Sequence, residues 1–346
     1  MARSFLSIIL AVAVLLATGT AAADAAAADA DQVCSLPENG LRRVLITGSN
    51  TGLGLDTARY LAENKPDVTE IILAVRSQAK GDAAIEKLVA KTGRPASLFS
   101  VLVVSVGDID DAKAAATKIE GKLDGIVLNA GGLVGGDSKV ASGALTMHAV
   151  NTLGHAAFLE TLIAQHKLAT NAHVVFSGSE AARGVPLMGM AFPEYEAVTA
   201  DAVDRAITDQ HPTDTSDEAR YGFSKSVMAL YVSALARRQP EYVVLTVSPG
   251  ATTGTDAAKN APWFMRFMMN IVAPYILQPL GLFHGLEAGT QRYVDGLYST
   301  AFKSGSYLAS PEGVLTGLLQ DQVPLYPLFG DEAMQEAAYE AVHRHI

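Results

Sequence analysis

Hydrophobic and polar positions change rhythm repeatedly along the chain from Leu41 onward. Short runs of β-branched and other apolar residues ("VLIT", "EIILAV", "LFSVLVV", "DGIVLN", "HVVFS", "YVVLTV") predict strands near 43–47, 70–75, 98–104, 124–129, 172–177 and 242–247. The runs are almost continuously apolar instead of alternating, as strands buried on both faces require. Between them lie segments with helical spacing, "LDTARYLAEN", "AKGDAAIEKLVAKT", "DDAKAAATKIEGK" and "KSVMALYVSALARR". Strand and helix in alternation predict an α/β fold, a doubly wound parallel sheet covered by helices, in one domain over 41–346.

Two stretches exceed this minimal repeat. Residues 186–219 form a long connection after a strand, and long connections in compact domains often carry function. Residues 254–284 include "APWFMRFMMNIVAPYILQPLGLF", rich in Met and aromatic side chains, with Arg266, Asn270, Pro274 and Gln278 arguing against a membrane span. This second stretch reads either as a core-packing helix pair, or as an apolar lid over a greasy substrate or a membrane-touching surface.

The N-terminus differs from the rest. Arg3 precedes an apolar run from Phe5 to Ala17, and small residues suited to cleavage follow, so residues 1–23 read as a signal peptide. Residues 4–23 are also uncharged and long enough for an uncleaved anchor. Residues 24–40, rich in Ala and Asp, read as a flexible spacer. Either reading sends the chain into the secretory pathway. Arg3 on one flank and Asp24, Asp29 and Asp31 on the other favour translocation of the domain.

Composition narrows the function. With 346 residues, 49% of them apolar, the chain can build a sizeable core. A net charge of −10 and the absence of any basic run longer than two residues argue against nucleic acid as a partner. The single cysteine, Cys34, precedes the folded segment and cannot pair within the chain. There is no N-x-S/T sequon. His148, His155 and His173 are scattered, and the tail "HRHI" offers too few partners for a metal site.

Candidate chemistry sits at the ends of the strands. Gly48, Gly52 and Gly54 in "LITGSNTGLG" fall where the first strand hands over to the first helix. Such residues let the chain turn and bring backbone N–H groups, with those of Ser49, Asn50 and Leu53, against a pyrophosphate. Arg76 ends the second strand, where a cation accommodates a ribose 2′-phosphate and an acid would select NAD, so NADP(H) is the expected cofactor. "LNAGG" ends the fourth strand, and Asn129, Ala130 and Gly131 allow close approach to a flat ligand. Tyr221 and Lys225 in "YGFSK" lie four apart on one helix face. An adjacent ammonium favours phenolate, so the tyrosine pKa is expected to fall towards neutral and to suit acid–base work. Asp217, Glu218 and Arg220 read as a solvated helix start.

Taken together, "TGSNTGLG", "LNAGG", "VFSGSEA", "YGFSK" and "SPG" resemble the short-chain dehydrogenase/reductase family in order and spacing over about residues 42–255. "AVRS" and "NTLGHAAFL" are most similar to the branch with retinol dehydrogenases and protochlorophyllide reductases. The resemblance implies a Rossmann fold and carbonyl–alcohol interconversion on an apolar small molecule. It places a catalytic tetrad on Asn151, Ser179, Tyr221 and Lys225. Ser179 would bind the substrate oxygen, with Ser177 the less favoured choice; Tyr221 would pass the proton, Lys225 hold the nicotinamide ribose, and Asn151 support a water relay. Pro249 and Gly250 would approach the nicotinamide, with Thr253 or Thr255 near its carboxamide. Ser105 stands where the family usually places an acid that contacts adenine. The resemblance also implies a dimer or tetramer. Its rivals are a double-bond reductase, disfavoured because the folded segment from Leu41 onward lacks cysteine, and a non-catalytic NADP-binding sensor or scaffold. A compartment that supplies NADPH, the ER lumen, an ER-anchored position or an organelle reached through the ER, suits the expected activity.

Overall fold

The computed structural model describes residues 35–38, 40–211, 216–254 and 268–346. The N-terminal targeting segment, Cys34 and Thr255 lie outside these residues. The six expected strands are present as β1 (Arg43–Thr47), β2 (Glu70–Val75), β3 (Phe99–Val103), β4 (Leu123–Leu128), β5 (Leu168–Ser177) and β6 (Val243–Val247). They pair in parallel in the order β3-β2-β1-β4-β5-β6. Two short strands extend this row: β7 (Tyr307–Ala309) runs parallel to β6, and β8 (Gln320–Asp321) runs antiparallel at the edge. The expected fold class, a doubly wound parallel sheet in a single α/β domain, is therefore present.

Burial explains why the central strands read as apolar throughout. Leu45 of β1 faces one core with Ala112, Phe158, Val227 and Met334, while Val44 and Ile46 face the other with Leu61, Leu88 and Leu297. Edge strand β3 shows the contrast, since its Val103 is exposed. The helices are α1 (Gly52–Asn64), α2 (Gln78–Thr92), α3 (Ile109–Thr117), α4 (Gly154–Ala164), α5 (Ala200–Ile207), α6 (Asp217–Arg238), α7 (Leu286–Tyr298) and α8 (Glu332–His343). Helices α1, α2 and α7 cover one face, and α3, α4, α6 and α8 the other. Helix α3 stops at Thr117, before the expected Lys122, and closes with short turns in which Lys118 N and Ile119 N donate to Ala115 O and Ala116 O. Its start is fixed by Asp108, whose carboxylate accepts from the N–H groups of Asp110 and Asp111.

Every residue from Gly222 to Ala236 in α6 is buried, so this helix is enclosed nearly all round. The sheet lies on one side of it, and α8 and α5 pack on another. Tyr231 Oη donates to Glu160 Oε1 at 2.6 Å, and the other oxygen of Glu160 lies 2.8 Å from His343 Nε2, which ties α4, α6 and α8 together. The long connection 186–219 contains α5 and leads into the start of α6. Arg220 there is no merely solvated cation: it holds Asp209 through two hydrogen bonds of 3.0 and 2.7 Å. Of the stretch 254–284, residues 255–267 lie outside the described residues, and Met268–Leu277 forms π-type turns containing Pro274. At the opposite pole, Ser35 enters beside the start of β5, where Asn171 Nδ2 donates to its Oγ at 2.9 Å. No helix of the described residues is long and apolar enough to cross a membrane.

Candidate active site

A cleft of about 780 Å³ opens along the C-terminal ends of β1, β2, β4, β5 and β6, where the strand order reverses around β1 and β4. Its first half is built by the β1–α1 turn. Gly48 and Gly52 have φ of +67° and +55°, a conformation that other residues adopt only at a cost. A Cβ on Gly54 would sit 2.6 Å from Gly48 O, so glycine there lets α1 pack against the strand end. Gly48, Asn50, Gly52 and Leu53 line the cleft, whereas Gly54 lies behind them. Ser49 is fully buried, and its Oγ has no hydrogen-bond partner. Asn129 and Ala130 lock this turn to β4: Asn129 Nδ2 donates to Thr47 O at 2.9 Å, and Ala130 N donates to Thr47 Oγ1 at 2.9 Å. Exposed Arg76 lines the same end together with Lys80, one helical turn into α2, which sequence reading passed over. Ser105 lines it as well.

The second half gathers Ser179, Tyr221 and Lys225 at the ends of β5 and in α6. Ser179 caps a short 3₁₀ turn (Glu180–Arg183), accepting from Ala181 N at 3.2 Å, and lies near enough to Tyr221 to influence its ionisation. Ser177 also lines the cleft, but its Oγ is paired with Tyr293 Oη at 2.5 Å. Lys225 Nζ donates to Ser177 O at 2.7 Å and lies 5.7 Å from the centre of the Tyr221 ring.

The ionisation of this pair corrects the sequence expectation. Burial pushes the Tyr221 phenol above its ordinary value of 10; the Ser179 side chain opposes this, and the Glu180 charge adds to it. Lys225 is pushed down to about 7 by burial, which weakens the cation expected beside the phenol. Spacing places a cation near a phenol. It carries no information on how deeply either is buried.

Asn151 lies in a π turn (Ala149–Leu153) ahead of α4. Its Oδ1 accepts from Gly132 N at 2.8 Å, and its Nδ2 donates to Gly132 O at 3.0 Å and Ser224 Oγ at 3.3 Å. Both amide protons are thus engaged in fixing the end of β4 to α6. Gly131 has φ of +150°, and a Cβ there would meet Asn151 Oδ1 at 2.4 Å. Pro249 and Gly250 line the cleft, but Thr253 does not. The Thr253 hydroxyl turns inward to Gln278 Oε1 at 2.8 Å and His284 O at 3.2 Å, and the hydroxyl of the neighbouring Thr252, which borders the cleft, donates to Pro249 O at 2.8 Å.

Buried residues that the motifs did not flag support the site. His155 bridges Thr47 Oγ1 (3.1 Å from Nε2) and Asn151 O (3.3 Å from Nδ1). Because Thr47 Oγ1 already accepts from Ala130 N, its own proton points to Nε2, and the imidazole proton sits on Nδ1. Burial keeps this ring neutral, with its pKa lowered to about 3. Only the i, i+4 spacing of Asn151 and His155 was available in the sequence. Leu133, Val134, Val185, Met190, Phe283 and Leu315 give the cleft beside Tyr221 apolar walls.

A parallel sheet with a glycine-rich turn and a Ser–Tyr–Lys group at one cleft defines a dinucleotide-binding protein of the Rossmann class. The family model for short chain dehydrogenases matches residues 42–195. Short chain dehydrogenase virL of Hypocrea virens is 30% identical over 234 residues, covering 66% of this chain and 65% of the relative. Retinol dehydrogenase 12 of Bos taurus is 34% identical over 138 residues, 38% of this chain and 41% of the relative. Both matches thus span less than two thirds of the relatives' own lengths. A solved structure from Mycobacterium paratuberculosis superposes with a TM-score of 0.62 at 22% identity, covering 90% of this chain and 96% of that one. The chain belongs to the short-chain dehydrogenase/reductase family, with the retinol dehydrogenase-like branch among its relatives.

Proposed function

We propose that the protein is an NADP(H)-dependent oxidoreductase that interconverts a carbonyl and an alcohol on an apolar small molecule. The observation that carries this reading is the Ser179–Tyr221 pair at one end of a continuous cleft whose other end is the Gly48–Leu53 turn with Arg76 and Lys80. Backbone N–H groups of the turn at the start of α1 suit a pyrophosphate. Arg76 and Lys80 suit a 2′-phosphate. The nicotinamide, when bound, supplies or accepts the hydride.

The chain's own part is proton transfer and orientation. Ser179 Oγ holds the substrate oxygen beside Tyr221. In reduction Tyr221 Oη donates its proton to the developing alkoxide, and in oxidation it takes that proton back. Lys225 Nζ, anchored on Ser177 O, would hold the nicotinamide ribose. Walls from Leu133 to Leu315 select an apolar body and exclude water.

The test is NADPH oxidation with a panel of retinoid, steroid, quinone and aliphatic carbonyls, run beside Tyr221→Phe. The variant should lose about 10²- to 10⁴-fold in kcat with its fold intact. Equal turnover in the two proteins would refute the tyrosine mechanism.

A further inference from the structure

The sheet register aligns Ser177, Val247 and Leu308 in one row across β5, β6 and β7. Residues one to three positions further on therefore converge beneath the cleft: Glu180, Ser248 and Ser310. All three are buried, and Arg292 of α7, 4% exposed, joins them. Glu180 Oε2 accepts from Ser248 Oγ, while Oε1 accepts from Ser310 Oγ at 2.8 Å, Ser310 N at 3.2 Å and Arg292 Nη1 at 3.4 Å. Arg292 donates in turn to Ser248 O at 3.3 Å, Ser310 Oγ at 2.9 Å and Gly317 O at 2.8 Å.

These bonds end on both walls of the cleft. Ser248 Oγ, held by Glu180, accepts from Gly250 N at 3.1 Å, which shapes the Pro249–Gly250 turn. A Cβ on Gly250 would lie 2.6 Å from Arg292 Nη1, so the turn rests directly on the guanidinium. On the other wall, Glu180 follows Ser179 in the chain, and Ser179 O accepts from Tyr307 Oη at 2.6 Å. A buried ion pair contributes little net stability compared with apolar side chains of the same size. What this pair does supply is a fixed separation between two backbone segments.

We infer that Glu180 and Arg292 are a positioning pair that sets the Pro249–Gly250 turn at a fixed distance from Ser179 and Tyr221, and so aligns the face that takes the nicotinamide with the proton donor. The inference rests on the carbonyl–alcohol reading for its effect on turnover. The anchoring of the turn is a property of the chain alone.

The experiment compares full-length wild type with Glu180→Gln, Arg292→Met, Arg292→Lys and the double variant Glu180→Gln/Arg292→Met, which removes both charges and so avoids leaving one buried alone. Hydrogen–deuterium exchange of the 248–254 segment should accelerate about tenfold in Arg292→Met and in the double variant, with β1–β4 unchanged. In carbonyl reduction kcat should fall about 10- to 100-fold, with KM for NADPH and for the carbonyl within about threefold, as misalignment without lost binding requires. Arg292→Lys should recover at least a threefold share of the lost kcat. Unchanged exchange in the double variant overturns the inference, as does a kcat that stays at the wild-type value while exchange rises. A wild type that turns over no carbonyl refutes the proposed function by itself, and the exchange comparison then still decides whether the pair holds the turn.

Discussion

His148 offers a direct measure of what an unsatisfied buried imidazole costs this fold. Its side chain is fully buried, and neither ring nitrogen has a hydrogen-bond partner. Burial, reinforced by His345 and opposed by Asp209, lowers its pKa from 6.5 to about 3. The unfolded chain therefore binds a proton that the folded chain refuses throughout the window between those two values. Stability is fully present above pH 6.5 and is lost as pH falls. Between pH 7.5 and 5.0 the loss from this one group amounts to about 2 kcal/mol, from ~1.36 kcal/mol per unit over the 1.5 units below 6.5. In His148→Met that share should vanish, and stability at pH 7.5 should rise by about 1 kcal/mol because no polar atom is left buried unpaired. His155, depressed in the same way, remains in both proteins. His343, raised chiefly by Glu160, contributes stability present at low pH and lost as pH rises, and it too is common to both. Urea unfolding followed by circular dichroism at the two pH values gives the four free energies. A variant that keeps the wild-type pH dependence, or that loses stability at pH 7.5, would refute the reasoning.

Three further outcomes are expected. Arg76→Ala should reduce the preference for NADPH over NADH by at least about tenfold, through loss of a charge-assisted contact to the 2′-phosphate, and steady-state kinetics with both cofactors measures it. Ser179→Ala should lower kcat about 100-fold while Ser177→Ala, which loses only its bond to Tyr293, stays within about threefold and melts a few degrees lower; reversed effects would reassign the serine. Gly54→Ala should weaken NADPH binding at least about tenfold in fluorescence titration and destabilise the chain by about 1–3 kcal/mol, because its Cβ would meet Gly48 O at 2.6 Å.

Much of the architecture was legible because its signals are local. The six parallel strands announce themselves as apolar runs, since burial on both faces removes the need for polar alternation. Strands β7 and β8, three and two residues long, carry no such pattern. The Gly48–Gly54 turn and the Tyr221–Lys225 pair could likewise be seen as spacings. Glu180 and Arg292 could not, because 112 positions separate two residues that only the packing of α7 against the strand ends brings together. The Tyr221 expectation had the wrong sign for a related reason: desolvation depends on everything packed around the phenol, and a four-residue spacing reports only one neighbour. The direction of the Thr253 side chain, towards Gln278, was not legible because an irregular turn has no periodicity to read.

The entry of the chain at Ser35 has a mechanical consequence. Ser35 is fastened by Asn171 at the beginning of β5, whereas the cleft lies at the far ends of the strands beyond Ser177. Whatever is joined upstream of Ser35, a leader, a tether or a fused module, pulls on the pole opposite the mouth.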